Sequence, residues 1–93
     1  MPVWFDRIGY IEAVLINWMR ANNLSITTPD DCMDELIRQG IYAEPLGKVR
    51  ALAFRNDLRK LKDTYGMPYD TGSIRIEQEA EYQKWYIYLN NGR

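Results

Sequence analysis

Apolar residues recur along this chain in three helical registers and then switch to strict alternation. Ile8, Ile11, Leu15, Trp18 and Asn22 fall at helical spacing, with Val14 and Met19 widening the stripe. This predicts a first helix over about 6–21, with Asp6 as its N-cap and Asn22-Asn23 as its end. Trp4 and Phe5 stand ahead of it, either as a hydrophobic staple or as an exposed aromatic pair available for a dimer contact. Residues 24–27, Leu-Ser-Ile-Thr, alternate like a short strand. Thr28 is then a typical N-cap, Pro29 suits the first helical position, and Asp30 and Asp31 meet the helix dipole. A second helix over 29–39 buries Cys32 or Met33 with Leu36 and Ile37, and Gly40 ends it. Pro45 and Gly47 break the turn segment 41–47.

The third register is the one the rest of the chain serves. Phe54, Leu58, Leu61 and Tyr65 form one buried stripe, and Lys48, Arg55, Arg59 and Lys62 fall on a neighbouring face. A helix is predicted from about 47 to 65, starting at Lys48 or nearer Ala51. A short turn before it would point Val49 and Leu52 inward. Gly66 stops this helix and Pro68 keeps it from resuming. Residues 67–72 read as a loop. Ile74 and Ile76 alternate with Arg75 and Glu77, residues 79–82 make a polar tip, and Trp85, Ile87 and Leu89 alternate with Tyr86 and Tyr88. That is a C-terminal hairpin over 73–89, followed by a frayed end at 90–93. The fold class is α+β: three helices, a short strand and a β-hairpin.

Charge sharpens this picture. Residues 47–62 carry Lys48, Arg50, Arg55, Arg59, Lys60 and Lys62 against Asp57 alone, a local balance of +5. Residues 1–46 balance at −4 and residues 63–93 at −2, so the net charge of −1 hides a strong asymmetry. Positive charge gathered on one helix is the footprint of a nucleic-acid binder, while the acidic overall balance argues the other way. The alternative is that these charges solvate one face of a packed helix.

Composition bounds the rest. At 93 residues, 46% apolar and 27% charged, the chain is long enough for one modest core, a single domain over 1–93. A lone cysteine, Cys32, forms no internal disulfide, which points to a reducing, cytoplasmic setting. No apolar run has the length of a membrane span, and the first residues lack the order of a secretion signal. Histidine is absent, removing the commonest general base and metal ligand, and Ser25 and Ser73 have no base to activate them. No phosphate-cradling glycine motif occurs. Carboxylate-only chemistry is the route left open, but Asp30, Asp31, Asp34 and Glu35 at a helix start read as dipole compensation and solvated surface. The expectation is a non-enzymatic protein without cofactor or metal.

The order helix, strand, helix, turn, basic helix, hairpin resembles a winged helix-turn-helix domain over nearly the whole chain. Residues 28–39 match the first helix of the motif, 47–65 the second and 73–89 the wing. The stretch FRNDLRKLKDTYGMPY is similar to the end of the recognition helix in small phage and bacterial winged-helix regulators. The resemblance implies double-stranded DNA as partner, with the second helix in the major groove. It places Lys48, Arg50 and Arg55 nearest the bases or flanking phosphates, Arg59, Lys60 and Lys62 on phosphates, and Asn56 near adenine; Arg75 and Lys84 flank the wing. A small regulator of transcription or recombination is the implied function, and the small contact area of a single chain this size adds a homodimer on a palindrome as an expectation.

The wing departs from that pattern. Glu77, Glu79 and Glu81 would be repelled by phosphates, so either the wing points away from DNA or the domain binds protein. A protein partner held by the acidic wing, by Trp4 and Phe5, or by outward Tyr86 and Tyr88 is the second expectation. Tyrosines half-buried over the core are the bland alternative.

Overall fold

The computed structural model describes residues 3–44, 51–81 and 83–90, with 3–7 as backbone only. The elements are α1 (Val3–Ala21), β1 (Ile26–Thr27), α2 (Pro29–Arg38), α3 (Leu52–Tyr65), β2 (Tyr69–Asp70), β3 (Ile74–Gln78) and β4 (Trp85–Leu89). The strands form one antiparallel sheet in the order β1-β4-β3-β2. The class is α+β, as expected.

α1 buries Ile11, Leu15 and Met19, one residue per turn, with Ile8, Val14 and Trp18 partly covered beside them. It begins at Val3, so Asp6 lies within it and does not cap it, and Trp4 and Phe5 belong to its first turns. The C-terminal signal holds: the Asn22 amide Nδ2 donates to the Trp18 carbonyl at 2.8 Å, and Asn23 takes φ +56°. Asparagine tolerates that left-handed conformation better than other non-glycine residues.

β1 is shorter than expected and its inward residue is the polar one. Register with β4 pairs Thr27 with Ile87 and Ile26 with Tyr88. Paired residues share a face, so Thr27 joins the core at 3% exposure while Ile26 stays 42% exposed. α2 follows its sequence signals closely. The Thr28 Oγ1 accepts from the Asp31 backbone N–H at 3.3 Å, Pro29 opens the helix, and Cys32, Met33 and Leu36 are all buried.

α3 is described from Leu52; Pro45, Gly47, Lys48, Val49 and Arg50 lie outside the described residues. Phe54, Leu58 and Leu61 are fully buried. The fourth member of the expected stripe, Tyr65, is 55% exposed because the helix ends there, and its ring packs on Tyr69 at 5.6 Å. Leu52 is 51% exposed rather than inward: it sits on the side opposite Phe54, Leu58 and Leu61. Asp57 lies inside the buried stripe, accepting from the Tyr42 hydroxyl at 2.5 Å.

The expected loop 67–72 contains β2, which pairs Tyr69 with Ile76 and Asp70 with Arg75. Asp70 Oδ1 accepts from the Gly72 N–H at 2.7 Å, and Gly72 at φ +91° makes the turn into β3. β3 and β4 alternate as predicted, with Ile74, Ile76, Trp85 and Ile87 facing the helices. Asn90 is not frayed: its N–H donates to the Ser73 carbonyl at 2.9 Å and its side chain to Asp70. Residues 91–93 lie outside the described residues.

Candidate nucleic-acid interface

The buried stripe of α3 decides which of its cations face outward. With Phe54, Leu58 and Leu61 inward, helical geometry turns Asn56, Arg59, Lys60 and Asp63 to the other side, and all four are exposed. No ion pair among the described residues holds Arg59 or Lys60. These two, with Asn56, are the expected site residues that remain displayed together.

The flanking cations are spent differently. Arg55 Nη2 pairs with Asp30 Oδ2 at 2.5 Å, joining α3 to the first turn of α2. Lys62 Nζ donates to Gln78 Oε1 at 2.8 Å, joining α3 to the hairpin. That acceptor is neutral, so the ammonium keeps its full charge. Arg75 pairs with Glu77 two residues along β3 and lies over the Tyr88 ring, 5.2 Å from its centroid. Lys84 is exposed at the end of the hairpin turn. Lys48 and Arg50 lie outside the described residues.

The acidic β3–β4 hairpin is partly neutralised from within. Glu77 is held by Arg75, and Glu79 accepts from the Tyr86 hydroxyl at 3.5 Å. Glu81 is exposed in the turn. Tyr86 and Tyr88 are half-buried on the sheet face away from the core, opposite Glu77 and Arg75. The side chains of Trp4 and Phe5 lie outside the described ones. At the start of α2, Asp30 is engaged by Arg55, and Glu35 by Arg38 and Gln39. The Gln39 amide, then the Arg38 guanidinium, holds the Glu35 carboxyl below the usual glutamate range.

Sequence reasoning missed three features. Asp30 is a partner for Arg55 across 25 positions, a separation that leaves no periodic signal. Tyr42 and Asp57 form a buried pair at the α2–α3 junction. A groove of about 530 Å³ opens between the first turn of α2, Arg55 of α3, and Lys84, Trp85 and Tyr86 of the hairpin. It exists only because β1 brings the hairpin beside α2. Among the described residues no helix is long and apolar enough to cross a membrane. Compared with known proteins, the chain matches no family model, no curated protein and no solved structure.

Proposed function

We propose that this protein is a non-enzymatic DNA-binding domain of winged-helix type, a small phage-type regulator of transcription or recombination. α3 enters the major groove and the β3–β4 hairpin serves as the wing. The reading rests on one observation above others: Arg59 and Lys60 stand exposed with Asn56 on the face of α3 opposite its core stripe. Arg59, Lys60 and Lys62 contact phosphates, and Asn56 addresses a base edge. Lys48 and Arg50 would contact bases or flanking phosphates, as the resemblance implies.

Three phosphate contacts set a testable scale. Each contributes a log–log salt slope of about −0.9, so a protomer should show about −2.7, or ~40-fold weaker binding between about 50 and 200 mM salt. A gel-shift titration on random duplex DNA across ionic strength reads this directly. Binding that ignores salt, or none at low salt, would overturn the reading.

One observation favours a protein partner instead. Arg55 and Arg75 are already paired with carboxylates within the chain, which lowers the positive charge on offer. The outer sheet face with Tyr86, Tyr88 and Glu77 would then be the contact surface. Failure to bind DNA at low salt would select this second reading.

A further inference from the structure

A cavity of about 220 Å³ lies between α1, α3 and the β2–β3 pair. Its floor is apolar: Leu58, Leu61, Ile74 and Ile76 line it and are otherwise buried in the core. For scale, an engineered hole of about 150 Å³ lined by similar side chains holds benzene. The volume suits a single ring with a short chain.

The rim adds chemistry to that shape. Gly9 borders the cavity within α1, and a Cβ built there would meet nothing within 4 Å. Glycine inside a helix is unfavourable relative to alanine, and its ordinary helical position here makes no demand for a positive φ. Its effect is to leave the mouth wide. Glu12, one turn away on the same helix, also lines the cavity, and its Oε2 is shut from solvent with no hydrogen-bond partner among the described residues. Rotation about the terminal carboxylate torsion is soft, so either oxygen can turn to a guest at little cost. Across the rim stands Tyr69, whose ring pairs with Tyr65. Burial, then Tyr65, then the Glu12 charge push the Tyr69 phenol above its usual range, placing the carboxylate within electrostatic reach of that ring.

We propose that this cavity binds a small primary amine with an aromatic body. The ring enters among Leu58, Leu61, Ile74 and Ile76. The ammonium stays at the rim, donating to Glu12 beside the tyrosine faces, which favour cations. A carboxylate of the same shape is repelled there, and a neutral alcohol gains only burial and a weaker hydrogen bond. The site is separate from the outward face of α3, and the proposal stands whether or not that face binds DNA.

The test titrates phenethylamine, 2-phenylethanol and 3-phenylpropionate into the full chain at neutral pH, followed by amide chemical shifts. Expected are saturable shifts at Gly9, Glu12, Tyr69 and Ile76, with the amine at least ~10-fold tighter than the alcohol, as suits a charged hydrogen bond. Glu12→Gln should remove that preference while keeping the alcohol's affinity. Gly9→Leu should weaken both ligands by narrowing the mouth. Absent or non-saturating shifts, equal affinities for amine and alcohol, a preference that survives Glu12→Gln, or undiminished binding to Gly9→Leu would each overturn the proposal.

Discussion

Asp57 is a carboxyl residue only 5% exposed in the middle of an apolar stripe, and Tyr42 helps explain how. The phenol reaches it across 15 positions and packs its ring on Phe54 at 5.8 Å, so one residue satisfies an acceptor and fills the core. Tyr42→Phe keeps the packing and removes the donor. It should cost about 1–3 kcal/mol in urea unfolding, because a buried acceptor loses a partner. Glu35 makes the residue-scale case for pH. Its folded carboxyl titrates below the ordinary glutamate value of 4.5, so its contribution to stability is present above that value and disappears as pH falls through the lower, folded midpoint. Carbon-detected titration of Glu35 should show that midpoint, and Gln39→Ala should move it back toward 4.5. Cys32 is the inert counterpart: burial pushes its thiol up to about 12, which suits a small core residue and not a nucleophile.

α2 was legible nearly to the residue because its signals are local. A cap, a proline and two acids act within one turn, and no distant contact is needed to read them. Thr28→Ala should therefore cost ~1 kcal/mol, measured as a lowered urea midpoint. α3 was legible in its apolar stripe but not in the fate of its cations. Arg59 and Lys60 face solvent, so Arg59→Glu with Lys60→Glu should leave the far-UV spectrum and urea midpoint nearly unchanged while abolishing DNA binding. Binding that persists in this double variant would move the interface elsewhere. Arg55 is a poor choice for that test, since its reversal would also set a new acid against Asp30. β2 escaped notice because two residues are too few for periodicity, and only β3 beside them makes them a strand.

For the whole molecule, the decisive arrangement is the sheet order β1-β4-β3-β2. It carries the hairpin to the flank of α2 and closes the core with Ile74, Ile76, Trp85 and Ile87 over the three helices. A reader of this size offers little contact area alone, so the proposed DNA-binding species is a two-fold dimer. Mass measurement of the DNA complex should give two chains per duplex site, with a salt slope about twice the protomer's. What the chain determined by itself was set by neighbours in sequence: three helices, the alternation of β3 and β4, the Thr28 cap of α2, and a concentration of cations around α3. Tertiary structure alone decided which face of Thr27 and Ile26 turns inward, which cations are answered by Asp30, Gln78 and Glu77, and where a cavity opens beside Glu12. Periodicity reports burial along one element. Pairing between elements depends on how they are brought together in space, and a one-dimensional pattern carries no term for it.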